Sequence, residues 1–296
     1  VTPTGSPDGV RRARLLVAYH GASFRGFAPQ PGVPTVLGTL ADAVERIVRV
    51  PVELTGAGRT DAGVHAWGQV VSGDLPAGTD LEALVRRSNK MCGPAIVVRA
   101  ARWTAPGFDA RFSALWRQYR YDVWNDPVPN PFYAATSWHV PQPLRLWVMQ
   151  QACAPLIGEH DFSSFCRRPK HAEADAPAGE APFGGSPVSG PPVSSPPVSS
   201  PVSSRPVSMV RRVLRASWDE VDDTPGMLRF EIRANAFCHQ MVRSIVGLLV
   251  DVGLGRRSAG DLTAVLRARD RAAAGPVAPP QGLTLWEVGY PAELDG

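Results

Sequence analysis

At 296 residues, with 44% hydrophobic content, the chain is long enough for one large domain or two halves of about 100–150 residues each, and reads as an ordinary globular protein. It has no apolar run near the roughly 20 residues that cross a bilayer, and its polar first ten residues lack the apolar stretch of an export signal. Four cysteines (92, 153, 166 and 238) without CxxC spacing, and a net charge of +4, argue against a zinc site or disulfide framework, fit a reducing cytoplasm, and suit a nucleic-acid partner without demonstrating one.

Residues 12–19 alternate as a strand, with Leu15, Val17 and Tyr19 on one face, and a turn from His20 to Phe27 follows. Thr35 can cap a helix over residues 35–49 whose buried stripe is Val36, Leu40, Val44 and Ile47. A strand-like run at 51–54 leads into Gly56-Ala57-Gly58-Arg59-Thr60-Asp61-Ala62-Gly63-Val64-His65-Ala66-Trp67, and a second run at 68–72 leads out. Asp61 is the single carboxylate of that stretch, with Arg59 two residues before it and glycines at 56, 58 and 63. Glycine takes positive φ and lets a ligand approach the backbone. An acid on such a loop beside a cation reads as a placed reagent, and equally as an Arg–Asp pair that ties down a turn. A dinucleotide fingerprint does not fit, because Asp61 holds the third glycine's place and the chain returns to a strand. A P-loop does not fit either, because Gly-Lys-Ser/Thr is absent.

Residues 80–91 read as a second helix and 96–103 as a strand. The run from 12 to 103 is therefore strand–helix–strand–strand–helix–strand, close to a split βαβ arrangement. Phe108-Asp109-Ala110-Arg111-Phe112 comes next, then Arg117-Gln118-Tyr119-Arg120-Tyr121 in a strand ending near Trp124. On residue type alone Tyr119 is strand core, and Arg111 is equally a surface salt-bridge residue. Pro127, Pro129 and Pro131 mark a loop, and Pro155 ends or kinks a helix over 144–156. The block Gly158 to Cys166 precedes residues 170–208. There, near-repeats of Pro-Pro-Val-Ser-Ser carry too little apolar surface to offset ordering entropy and read as a disordered insertion. Strands at 210–218 and 227–233 join through a turn at 224–226, and the second buries Leu228, Phe230 and Ile232. Arg233 to Gly247 runs from a strand into a helix with an apolar face of Met241, Ile245, Leu248 and Leu249. His239 and Arg243 lie one turn apart on another face, available for phosphate or for the neighbourhood of Asp61. A lone helical histidine is more often structural. A helix at 261–269 and a strand at 283–288 complete the chain.

The stretch from Gly56 to Val71 resembles the signature loop of the A-type tRNA pseudouridine synthases. The resemblance recurs at Phe108 to Phe112, at Tyr119, at Gly158 to Cys166, at Arg233 to Gly247 and at the closing strand. The chain departs from that pattern at His20, Phe27, Ala28 and Leu37. The resemblance implies an α+β fold of two ferredoxin-like, split βαβ halves joined through a mainly antiparallel central sheet flanked by helices, with a cleft between the halves. Residues 1–10 would be a disordered tail, 11–114 the N-terminal half, and 115–296 the C-terminal half containing the 170–208 insertion. It further implies that Asp61 is catalytic with Arg59 beside it, keeping it charged, fixing its rotamer or holding RNA phosphate. Tyr119 would pack against the target uridine, where stacking on a base contributes about 1–3 kcal/mol. Arg111, His239 and Arg243 would line the substrate cleft. The implied reaction breaks the uracil N1–ribose C1′ bond and joins C5 to C1′, and requires no metal, nucleotide or redox cofactor. The implied substrate is the tRNA anticodon stem-loop at positions 38, 39 and 40, and the implied assembly is a cytoplasmic homodimer. Two other readings compete: a non-catalytic RNA-binding paralogue, and a glycoside hydrolase. The latter needs two carboxylates flanking the bond, and no second acid neighbours Asp61 in sequence, since Asp42 and Glu45 lie on a helix and Asp74 begins a loop.

Overall fold

A computed structural model describes residues 9–167 and 208–295. The expected N-terminal tail before residue 9, and all of the 170–208 segment but Ser208, lie outside the described residues. The elements of the first half are β1 (Val10–Tyr19), α1 (Val36–Val48), β2 (Leu54–Gly56), β3 (His65–Pro76), α2 (Leu81–Cys92) and β4 (Ile96–Trp103). Those of the second are β5 (Trp116–Trp124), β6 (Trp138–His139), α3 (Leu146–Cys153), β7 (Gly158–Asp161), β8 (Val210–Glu220), β9 (Met227–Ala234), α4 (Met241–Gly253), α5 (Asp261–Ala268) and β10 (Leu283–Gly289).

The strands of the described residues form one sheet in the order β4-β1-β3-β10-β5-β9-β8-β7, with β2 added on β3 and β6 on β5. Pairing is antiparallel except for β3 with β10 and β5 with β6. The sheet is therefore mainly antiparallel, and the short parallel seam at Thr284↔His65 and Leu285↔Ala66 joins β10 to β3. Leu15, Val17 and Tyr19 all turn into the core from β1, as strand alternation requires, and Leu228, Phe230 and Ile232 do so from β9. Thr35 caps α1 by accepting a hydrogen bond from the Gly38 N–H at 3.3 Å, and Asp80 caps α2 through Ala83 at 3.0 Å, each contact of the kind whose loss costs about 1 kcal/mol. In α4 Ile245, Val246, Leu248, Leu249 and Val252 are all fully buried, as expected of a helix apolar on nearly every side.

Several boundaries fall elsewhere than the sequence pattern places them. The lead-in strand is 54–56, not 51–54, because Pro51 has no N–H to give and the Val52 N–H donates to the Glu45 carboxylate of α1 at 3.0 Å. The outgoing strand is longer than 68–72, since β3 pairs with β1 from Ala66 to Pro76. The helix over 144–156 closes after Cys153, and Pro155 sits in a 3-10 turn at Ala154–Leu156. The expectation of no disulfide is also corrected: Cys166 and Cys238 are bonded, their Cα atoms 5.6 Å apart across 72 residues of sequence. That separation suits a disulfide, and no local spacing could have announced it.

His65, the first residue of β3, sits in the parallel seam between β3 and β10. Its Nδ1 accepts the Gly21 N–H at 3.0 Å, so the proton sits on Nε2 and is donated to the carbonyls of Ala135 (3.1 Å) and Gln281 (3.0 Å). Burial, and secondarily the His20 ring 4.3 Å away, hold the His65 pKa below its usual value of 6.5. With a folded pKa below the unfolded one, this neutral imidazole contributes stability fully present above about pH 6.5 and lost as pH falls through the folded value. The urea midpoint of the wild type is expected to drop more between pH 7.5 and 5.5 than that of His65→Gln. Equal drops would show that His65 does not carry the effect.

Candidate active site

Asp61 sits on the loop between β2 and β3, which three main-chain bonds and one side-chain bond hold in shape. Ala57 N–H donates to Val70 O (2.8 Å), Phe27 N–H to Thr60 O (3.1 Å) and Val64 N–H to Asp61 O (3.2 Å), while Gln69 Nε2 donates to Gly58 O (2.8 Å). Two glycines are required. Gly63 has φ +80°, which side chains with a Cβ rarely adopt, and a Cβ on Gly56 would lie 2.3 Å from the buried ring of Phe27. Under the loop, Tyr19 Oη and Thr60 Oγ1 share a buried hydrogen bond of 2.7 Å, and burial pushes the Tyr19 phenol up to about 12.

Both carboxylate oxygens of Asp61 are engaged by side chains from far along the chain. Arg243 Nη1 donates to Oδ2 at 2.9 Å, and His239 Nε2 lies 3.1 Å from Oδ1. The Arg243 guanidinium is itself fixed, its Nε donating to Ala278 O at 2.8 Å while the Ala278 N–H returns a bond to Arg243 O at 3.0 Å. Segment 276–278 can lie this close to α4 because Gly247 has no Cβ, which would otherwise meet Pro276 O at 2.1 Å. The helix does not carry both partners as the sequence spacing suggests. It begins at Met241, because Gln240 takes a left-handed conformation with φ 66°, and His239 approaches from the turn before it. The acid is 24% exposed, so a cation fixes it from below while one side stays open.

Tyr119 faces the same loop from β5: a Cβ on Gly58 would lie 3.9 Å from its Oη. Its ring is buried at 7% exposure and meets Phe237 edge-on, with centroids 4.9 Å apart at 85°. Burial first, then nearby Tyr19 and Asp61, raise its phenol well above the usual range against the opposing pull of Arg117. Tyr119 is therefore neutral at physiological pH and presents a ring and a hydroxyl, not a base. Tyr121 is fully buried and donates to Pro279 O at 2.8 Å, a core role.

The two other basic residues singled out from sequence stand apart from the acid. Arg59 is exposed, and among the described residues no hydrogen bond or ion pair joins it to Asp61. The guanidinium that braces the carboxylate is Arg243, 182 positions away. Arg111 is also exposed and lies over the Phe112 ring at 5.2 Å. Arg117, named only as part of a strand, is the structural hub. Its guanidinium reaches the carbonyls of Ala57, Arg111, Ala114 and Asn235, tying the Asp61 loop to the 111–114 turn and the end of β9. Phe237 was likewise missed as a site residue, since an aromatic beside a strand end carries no signal of its own.

A family model described as tRNA pseudouridine synthase matches residues 200–291. The chain is 40% identical over 291 residues to the tRNA pseudouridine synthase A of Cutibacterium acnes, covering 96% of this chain and 90% of that protein. It is 39% identical to that of Frankia casuarinae (97% and 92% covered) and 35% identical to that of Brevibacillus brevis (95% and 100% covered).

Proposed function

The chain belongs to the tRNA pseudouridine synthase A family and isomerises uridine to pseudouridine in tRNA, and from that premise we propose that its targets are uridines 38, 39 and 40 of the anticodon stem-loop and that Asp61 is the reacting carboxylate. The observation that carries this reading is the acid of one half held by two side chains of the other, at 2.9 and 3.1 Å, beneath an open face.

The isomerisation leaves the atom count of uridine unchanged: the N1–C1′ bond breaks, the base turns, C5 bonds to C1′, and C5 loses its proton while N1 takes one up. A carboxylate can drive this by bonding covalently to sugar or base, or by removing a sugar proton to give a glycal. Both routes need the same ionised, aimed oxygen. Arg243 holds Oδ2, and His239 marks where Oδ1 meets the incoming nucleotide. Tyr119, backed by Phe237, offers the surface that receives the turned-out base, an operation that costs a few kcal/mol of unstacking. Arg59 and Arg111, exposed and unpaired with the acid, are free to take RNA phosphates, which position the substrate without reading its sequence.

The sheet order supports two split βαβ halves, dividing near residue 114. Around β1 the order is β4-β1-β3 with β2 on β3, and around β5 it is β10-β5-β9-β8. The proposed assembly is a homodimer acting in the cytoplasm, with the RNA cleft running between the halves. Among the described residues no helix is long and apolar enough to cross a membrane.

The test is position-resolved mapping of pseudouridine in unmodified tRNA transcripts treated with the purified protein. Conversion confined to positions 38–40 is expected, and conversion elsewhere would move the target. Tyr119→Phe, which keeps the ring, is expected to retain kcat within about tenfold, whereas Tyr119→Ala loses a stacking surface of about 1–3 kcal/mol. Equal losses in both variants would show that the hydroxyl is the needed part.

A further inference from the structure

The four residues before α4 carry several of the site's cross-connections. Phe237 backs Tyr119, His239 reaches Asp61 Oδ1, and Gln240 holds the left-handed turn that starts the helix. Between them stands Cys238, bonded to Cys166. The two ends of that bond differ in setting. Cys166 is buried and follows a 3-10 turn whose Phe165 is fully buried and whose Ser164 Oγ donates to Val265 O at 2.6 Å. Cys238 is half-buried, and its neighbour His239 is 47% exposed. The next residue, Arg167, adds a main-chain bond to the same segment, donating its N–H to His239 O at 2.9 Å. A left-handed non-glycine residue costs about 1–2 kcal/mol and persists only where its surroundings fix it. The Arg167–His239 main-chain bond and the Cys166–Cys238 link both tie this segment to the buried 3-10 turn.

We propose that the Cys166–Cys238 disulfide is a positioning clamp for the active site: closed, it holds His239 on Asp61 and Phe237 on Tyr119; open, it frees that segment and slows turnover. The inference rests on the reading of Asp61 as the reacting group. In a reducing compartment such a bond is characteristically transient or redox-sensing, rather than a permanent staple, so the clamp couples turnover to thiol oxidation. Closure by a hydroperoxide balances. One thiol reduces hydrogen peroxide, becoming a sulfenic acid and releasing one water, and the second thiol displaces the sulfenic oxygen as another water, leaving the S–S bond. Opening transfers both electrons from a dithiol, which becomes a cyclic disulfide.

The experiment compares the full chain after hydrogen peroxide and after dithiothreitol, with the state of each cysteine read by alkylation and mass spectrometry. Steady-state kinetics on a tRNA transcript are expected to show a kcat about tenfold lower in the reduced form, the size that a small misplacement of catalytic groups produces, with KM changed less than about twofold. Cys166→Ser should match the reduced wild type and ignore either reagent. Hydrogen exchange over residues 237–243 should rise on reduction while the melting transition stays cooperative. Unchanged kcat in both reduced wild type and Cys166→Ser, a change in KM alone, or free thiols at both positions after oxidation would each overturn the clamp. If the oxidised wild type makes no pseudouridine at all, the functional reading fails. The exchange measurement then still decides whether the bond holds the segment.

Discussion

Asp61→Asn is expected to lose pseudouridine formation by a factor on the order of 10⁴ or more in kcat, the scale seen when the reacting group of an enzyme is removed. Asparagine has the same shape, and its carbonyl oxygen can still accept from Arg243 at the position of Oδ2. It has no negative charge with which to bond to carbon or remove a proton. Affinity for tRNA should stay within about threefold, because phosphate contacts, not this acid, supply most of the binding. Filter binding and single-turnover conversion on the same preparation separate the two effects. Binding lost along with turnover would recast Asp61 as a structural residue of its loop.

Arg243→Met is the second large effect, with kcat expected to fall by about 10²–10³-fold, as when a single preorganised electrostatic partner is deleted. Methionine keeps the stem that lies along α4 but leaves Oδ2 without its donor at 2.9 Å and Ala278 O without its donor at 2.8 Å. Asp61 then keeps only His239, and its rotamer is no longer fixed from two sides. Arg243→Lys should fall between wild type and methionine, since an ammonium can replace one of these bonds but cannot span both in the plane of a guanidinium. A rise in KM with kcat unchanged would assign Arg243 to RNA phosphate instead of to the acid.

Much of this fold was legible because its elements carry their own periodicities. Leu15, Val17 and Tyr19 announce β1 by alternation, and Thr35 and Asp80 mark helix starts that the structure places one residue on. The loop around Asp61 was legible for a different reason. Gly63 is needed by a dihedral angle of the loop itself, a local requirement, whereas Gly56 is needed by the ring of Phe27, which comes from outside the loop. What was not legible is what long-range packing decides. Arg59 is Asp61's neighbour in sequence, yet its side chain is exposed, and the bracing cation comes from Arg243 on α4. Spacing alone set His239 and Arg243 on one helix, because the left-handed Gln240 that separates them has no signature in residue type. Arg117, His65 and the Cys166–Cys238 bond likewise join segments far apart in the chain, and single residues of common types do not reveal such partners.

The most direct measurement uses tRNA labelled with tritium at C5 of its uracils, since joining C5 to C1′ releases that label to water once per event. With the wild-type protein in excess, release should equal the number of pseudouridines mapped in the anticodon stem-loop, and Asp61→Asn should release none on the same timescale. Label retained in full by tRNA bound to the wild type, or released by the asparagine variant at the wild-type rate, would contradict an Asp61-driven exchange of the base's nitrogen bond for a carbon bond.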